Sequence, residues 1–146
     1  MKTAILKFEK LLSENVDLFS KINSDVFTAK VSDKWSKKEI LGHLTDSAIH
    51  NLVRFTEINY VEKPYHHRPY NQIDLVNLNQ YQEMDIGELI QLWFVINKQI
   101  VRVMKSVDEK ALDYKIILSD QSEIDLRFLM TDYVEHLEHH INQIKS

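Results

Sequence analysis

Three histidines at two places in the chain could together bind a metal ion. His136 and His140 lie four residues apart near the C-terminus, and His43 lies far upstream. On a helix, residues i and i+4 lie one above the other, so two imidazoles at this spacing can bind one ion. A third imidazole from a neighbouring helix would complete a site with open coordination positions, which is typical of a reactive metal rather than a structural one.

The spacing alone also fits a simpler interpretation. The chain has seven histidines, so the pair could be surface residues or a hydrogen-bonded pair in the core. At about 100° per residue, His140 projects close to Tyr133 within an apolar stripe, His136 lies at the edge of that stripe and His139 is turned outward. A buried histidine without a partner is costly, so we expect His140 to be a ligand or to form a hydrogen bond.

A polar stripe accompanies the upstream histidine. His43, Ser47, His50 and Arg54 fall within a few tens of degrees of one another on a helix, and Asn51 flanks them. Such a stripe along the inner edge of a helix would line a pocket, so His50, Asn51 and Arg54 are candidate substrate-binding residues. The alternative is that His50 and Arg54 lie along a solvated seam.

The composition limits the class of protein. The 146 residues, 44% of them apolar, predict one soluble domain spanning residues 1–146. The net charge of −4 and the lack of a Lys/Arg block argue against a nucleic-acid partner. No apolar run suits a membrane span or a signal peptide, so we expect no membrane association and a cytoplasmic location.

The absence of cysteine restricts the chemistry further. It excludes disulfides, thiolate ligands from the chain and a cysteine nucleophile, so any reacting thiol would come from another molecule. The only glycines, Gly42 and Gly87, do not form a phosphate-binding loop. P-loop and dinucleotide-binding folds are therefore excluded.

Apolar residues at helical spacing predict the first two helices. The first spans about residues 3–24. The second begins at Ser36, where Ser36 and Glu39 form a capping box, and continues to about Tyr60.

Two more helices are predicted in the second half. A second capping box, Asp85 to Glu88, begins a helix whose apolar stripe continues to Met104. The last helix begins near Asp125, a candidate N-cap, and continues to about Lys145.

The segments between the predicted helices differ in character. Residues 61–84 carry both prolines, Pro64 and Pro69, and are interpreted as a linker. Residues 114–118 are typical of a short strand, with a turn at residues 119–122. The pattern as a whole predicts an all-α fold, a four-helix bundle with one long connection between its second and third helices.

Two motifs resemble those of the DinB-like superfamily, and together they cover nearly the whole chain. The first is Trp35-Ser36-x-x-Glu39-Ile40-Leu41-Gly42-His43-Leu44-x-Asp46-Ser47, followed by Asn51 and Arg54. The second is the run from His136 to His140, followed by Gln143-Ile144.

This resemblance implies a four-helix bundle of the DinB-like type, with a divalent metal held by His43, His136 and His140. His139 matches a frequent extra histidine and is not implied as a ligand. Zinc and nickel suit imidazole best, and iron and manganese are further candidates. Similar proteins use a low-molecular-weight thiol such as bacillithiol, mycothiol or glutathione, and homodimers are common among them.

Three functional hypotheses remain at this point. The first is a metal-dependent transferase that activates a small thiol for attack on a small electrophile. The second is a metal-dependent hydrolase at the same site. The third is a non-catalytic helical bundle whose histidines hold a structural metal or none.

Overall fold

A computed structural model describes all residues, 1–146, and most of them are helical. Four long helices form the bundle: α1 (Lys2–Phe19), α3 (Lys37–Glu57), α5 (Ile86–Ser106) and α6 (Leu126–Lys145). The smaller elements are α2 (Ser24–Thr28), β1 (Tyr65–His66), α4 (Gln72–Leu78), a 3-10 helix (Glu109–Asp113), β2 (Lys115–Ile117) and β3 (Glu123–Asp125). The prediction of an all-α four-helix bundle is confirmed.

Local capping explains where the long helices begin. The Ser36 side chain accepts a hydrogen bond from the Glu39 amide while the Glu39 carboxylate accepts one from the Ser36 amide, so the predicted capping box forms. At α5 only half of the predicted box forms, because Asp85 accepts from the Glu88 amide and no reciprocal bond is present. Asp125 caps α6 through the amide of residue 128, as predicted.

The first helix is shorter than predicted. It ends at Phe19, and the chain then forms two tight backbone turns before Asn23 caps α2. Ile22 still packs against the core although it is no longer helical. The apolar spacing therefore continues through the turn, which explains why the predicted helix extends to residue 24.

The long connection between α3 and α5 is more structured than a linker. Asn71 caps α4, and its side chain accepts hydrogen bonds from two amides of that helix. The same connection contains β1, which pairs in parallel with β2. β2 and β3 lie between α5 and α6 and pair antiparallel. β2 and the turn that follows it agree with the predicted strand and turn, whereas β1, β3 and α4 were not predicted.

The helices do not follow one another around the bundle. α1 packs against α5 and α6, and α3 packs against the same two helices, which gives the circular order α1, α5, α3, α6. α1 and α3 therefore lie diagonally opposite each other, as do α5 and α6. Although they are distant in the sequence, α3 and α6 are neighbours. Their buried apolar side chains join those of α1 and α5 in one continuous core. None of the helices is both long and apolar enough to cross a membrane.

Candidate metal centre

The three histidines singled out in the sequence meet where α3 packs against α6. His43 comes from α3, and His136 and His140 come from successive turns of α6. One nitrogen from each ring lies within 4.8 Å of the others. Ring centroids are 5.3 Å apart for His43 and His136, 4.8 Å for His43 and His140, and 4.5 Å for His136 and His140.

The nitrogen separations fit a single metal ion. Nε2 of His43 lies 3.3 Å from Nε2 of His136. Two nitrogens that bind one zinc ion at about 2.0–2.1 Å in tetrahedral geometry are about 3.3 Å apart. Without a cation, this distance allows one N–H···N hydrogen bond, which would serve only two of the three rings. The donor set therefore fits a divalent metal held by three imidazoles.

A glutamine fixes the orientation of His140. Nδ1 of His140 lies 2.7 Å from Oε1 of Gln143, and because an amide oxygen only accepts, Nδ1 is the protonated nitrogen. The lone pair of neutral His140 is then on Nε2. The amide nitrogen of Gln143 in turn donates to Nε2 of the exposed His139 at 3.1 Å. The last-helix motif includes Gln143 but assigns it no role, although its position three residues after His140 places it on a neighbouring part of the same helix.

Burial keeps these rings neutral. Burial is the main reason that the pKa of His43 falls to about 4, and the nearby His140 and His136 add to the effect. Burial also lowers the pKa of His136 to about 4, with His140 and His139 as further causes. The pKa of His140 is lowered by burial as well, although its bond with Gln143 opposes the shift. Neutral imidazoles are the form that binds metal.

His43 is the most enclosed of the three rings, with 2% of its surface exposed. The indole ring of Trp35 lies over it at a centroid distance of 5.3 Å. Its Nδ1 is buried and has no hydrogen-bond partner. Asp46, one turn further along α3, is engaged elsewhere, because its Oδ1 accepts hydrogen bonds from Tyr81 and Asn79.

A cavity of about 270 Å³ adjoins the histidines. Its wall combines residues of α3, of the connection and α4, and of α6: His43, Ser47, Asn51, Arg54, His67, Pro69, Tyr70, Gln72, Leu129, Asp132, Tyr133 and His136. The connection reaches the cavity because β1 is hydrogen-bonded to β2, which immediately precedes β3 and α6. A reactant in this cavity would lie next to two of the three histidines.

The other candidate residues of α3 are placed differently from one another. Asn51 and Arg54 line the cavity, and Nδ2 of Asn51 donates to the Ser47 carbonyl at 2.9 Å. His50 does not line it. Its ring instead stacks on Tyr70 at a centroid distance of 4.1 Å and an angle of 15°. Tyr70 and His67 were not singled out in the sequence, because their approach depends on how the connection folds back.

The fold is similar to two proteins of known structure. YfiT from Bacillus subtilis, described as a probable metal-dependent hydrolase with an unusual four-helix bundle topology, matches with a TM-score of 0.87 and 18% identity over 99% of this chain and 83% of YfiT. The mycothiol-dependent maleylpyruvate isomerase matches with a TM-score of 0.75 and 11% identity over 98% of this chain. A histidine-to-alanine variant of that isomerase gives 0.78 and 10% over the same share of this chain.

These similarities differ in extent. This chain spans 60% of the isomerase. At such low identities the structures show a shared fold. No protein with a curated description matches the sequence. The sequence model of the DinB superfamily matches residues 7–144, which is nearly the whole chain. The chain therefore belongs to the DinB superfamily.

Proposed function

We propose that His43, His136 and His140 bind one divalent metal ion and that the adjoining cavity holds the molecules that react there. The observation that carries this proposal is the convergence of three neutral imidazoles at the edge of a cavity. Three protein ligands leave at least one coordination position for a reactant. Zinc and nickel are the preferred metals for imidazole ligands, with iron and manganese as further candidates.

The reaction that we propose transfers a low-molecular-weight thiol to a small electrophile. A bound divalent ion would supply a positive charge that lowers the pKa of a thiol. The thiol releases its proton to solvent, its sulfur forms a bond to the electrophilic carbon, and the leaving group departs with the electron pair of the bond that breaks. The chain has no cysteine, so both reacting groups come from small molecules. The similarity to a mycothiol-dependent isomerase supports this choice of nucleophile.

The residues of the cavity would bind and orient these molecules. Asn51 Nδ2 is engaged with Ser47, which leaves its Oδ1 to accept a hydrogen bond from a reactant. Arg54 offers a cation at the cavity wall. His50 would act indirectly, because it supports the ring of Tyr70. Tyr133 is buried, and its hydroxyl donates to Asn97, so this part of the wall is held rigidly.

A metal-dependent hydrolase is the second candidate. It requires the same three histidines, but water replaces the thiol as the nucleophile. The similarity to YfiT, a probable metal-dependent hydrolase, favours this candidate. That match covers 83% of YfiT, whereas the other match covers 60% of the isomerase.

Kinetic assays with and without thiol separate the two candidates. The metal-loaded protein is mixed with chlorodinitrobenzene and a series of cellular thiols, and separately with nitrophenyl acetate in the absence of thiol. A transferase forms the thioether and chloride at a rate that falls to background with a chelator and in His136→Ala. His66→Ala, which removes an exposed histidine outside the cavity, is the matched control. Ester hydrolysis without any thiol-dependent rate would select the hydrolase. The absence of both activities would contradict the enzymatic proposal.

A further inference from the structure

Arg54 is a buried cation without an acidic partner. Only 7% of its surface is exposed, yet it forms no salt bridge, although eight ion pairs are present elsewhere in the protein. The buried acid Glu39, by contrast, pairs with Lys30 at 2.7 Å. Buried charges are normally paired because removing a charge from water is costly. The unpaired guanidinium is therefore a candidate binding site for an anion.

The contacts of Arg54 leave most of its donors free. One terminal nitrogen donates to the Arg68 carbonyl at 2.7 Å, and the guanidinium carbon lies 5.4 Å from the centre of the Tyr70 ring. A guanidinium has five N–H groups, so four of them form no hydrogen bond in the structure. None of the nitrogens that carry them is both fully buried and unpaired. The nitrogens without a partner therefore keep some access to solvent, and Arg54 is part of the cavity wall.

The rest of the cavity wall supplies little negative charge. Asp132 is its one carboxylate, and it is an exposed residue of α6 that forms no ion pair with Arg54. From the connection, His67 is partly buried, and burial followed by the charge of Arg54 lowers its pKa, so its ring is neutral. The wall thus presents one buried cation that no carboxylate pairs with, neutral hydrogen-bonding groups and one exposed carboxylate, Asp132.

We propose that this cavity binds a molecule carrying a carboxylate, which pairs with Arg54 while the reacting end of the molecule lies at the histidines. This inference rests on the proposed function and names its substrate class. A carboxylate matches the single positive charge and accepts two parallel N–H bonds from a guanidinium. A phosphate carries more charge than one guanidinium compensates, and no lysine lines the cavity to share it.

The helix sets the length of such a molecule. His43 and Arg54 are eleven residues apart on α3, which corresponds to a rise of about 16 Å between their Cα atoms. Helical side chains lean toward the N-terminus, so the long side chain of Arg54 extends back toward His43. The ligand is therefore elongated, with the carboxylate at one end and the reacting atom at the other. That carboxylate belongs either to the thiol or to the electrophile.

Binding to the metal-free protein tests the carboxylate site separately from the metal site. Isothermal titration of chelator-treated protein with phenylpropionate, phenylpropionamide and phenyl phosphate compares an acid, its neutral amide and a phosphate. We expect the acid to bind at least tenfold more tightly than the amide. Arg54→Gln should abolish that preference, and Arg54→Lys should retain part of it. Arg127→Gln, a change at a partly exposed arginine of α6 outside the cavity, should leave it intact. Circular dichroism and the urea midpoint show whether each variant is folded.

Several outcomes would overturn the proposal: equal binding of acid and amide, unchanged binding in folded Arg54→Gln, or tighter binding of the phosphate. His140→Ala should keep the carboxylate preference, because it removes a metal ligand that does not line the cavity. A protein that binds carboxylates but no metal would therefore refute the proposed function and leave the carboxylate site standing. A protein that binds metal but does not prefer the carboxylate would refute the carboxylate site and leave the metal site standing.

Kinetics on the metal-loaded protein identify which reactant carries the carboxylate. Mercaptopropionate is compared with mercaptoethanol as the thiol, and chloronitrobenzoate with chlorodinitrobenzene as the electrophile. Arg54→Gln should raise KM at least tenfold for the carboxylated member of one pair and leave the neutral member unchanged. If KM changes equally for charged and neutral reactants, Arg54 has only a structural role.

Discussion

The ring of Tyr81 lies directly against the backbone of Gly42, the residue that precedes His43. A Cβ atom added at Gly42 would come within 2.2 Å of Cδ2 and 2.4 Å of Cγ of that ring. The hydroxyl of Tyr81 donates to Oδ1 of the buried Asp46 at 2.6 Å. The connection is thus fixed to α3 on both sides of the histidine, and a hydrogen atom is the only side chain that fits at residue 42.

Gly42→Ala should destabilise the protein although alanine favours helix. The helical preference of alanine contributes about 1 kcal/mol, whereas forcing an atom into a packed interface costs about 1–3 kcal/mol. Here the displaced ring would also lose its bond to Asp46. Urea unfolding measures the difference in the free energy of unfolding. Gly87→Ala is the matched control, because its Cβ would meet only Oδ1 of Asp85, at 3.1 Å; equal effects of the two substitutions would contradict the explanation.

His140→Ala should abolish metal binding. The purified protein is expected to bind one divalent ion per chain, which elemental analysis after dialysis measures. Removing one of three ligands leaves two imidazoles, which hold an ion far more weakly. His66→Ala should keep full occupancy. Full occupancy in His140→Ala would show that the ligands lie elsewhere.

Gln143→Ala should weaken metal binding without abolishing it. Gln143 accepts the hydrogen bond from Nδ1 of His140, and loss of such an orienting partner typically costs about 10–100-fold in metal affinity. Competition with a chromogenic chelator measures the dissociation constant. Asn142→Ala is the control, since the exposed side chain of Asn142 forms no hydrogen bond in the structure. An unchanged constant in Gln143→Ala would mean that the glutamine does not orient the ligand.

The metal-free protein should lose stability on mild acidification. The pKa of His43 and of His136 is about 4 in the folded state, against about 6.5 in the unfolded state. Below about pH 6.5 the unfolded chain therefore binds more protons than the folded one, so the free energy of unfolding falls as pH decreases toward 4. Urea unfolding of chelator-treated protein between pH 7 and 5 measures this slope. His136→Gln should make the slope shallower, and an identical slope in this variant would contradict the assignment.

Local signals made much of the fold predictable, whereas long-range packing determined the rest. Asp125 and the Ser36 capping box mark helix starts through bonds within three residues, so the sequence alone reveals them. β1 could not be predicted in this way, because its residues pair with β2, some fifty positions further along the chain. A two-residue strand has no periodicity of its own.

The same distinction applies to the site. The spacing of His136 and His140 on one helix is a local pattern, and family resemblance linked them to His43. His50 follows the same stripe as Arg54, yet only Arg54 lines the cavity, because Tyr70 folds back from the connection and stacks on His50. Such an approach of a distant segment leaves no trace in helical periodicity.

The packing of α3 beside α6 has a consequence for folding kinetics. His43 and His136 are 93 residues apart in the chain, and α6 completes the bundle. The three nitrogens therefore come together only after most non-local contacts have formed, which is a slow class of event. An ion that binds only this assembled arrangement adds stability by mass action. It should then reduce the unfolding rate while leaving the folding rate almost unchanged, so that metal loading sets the lifetime of the native state.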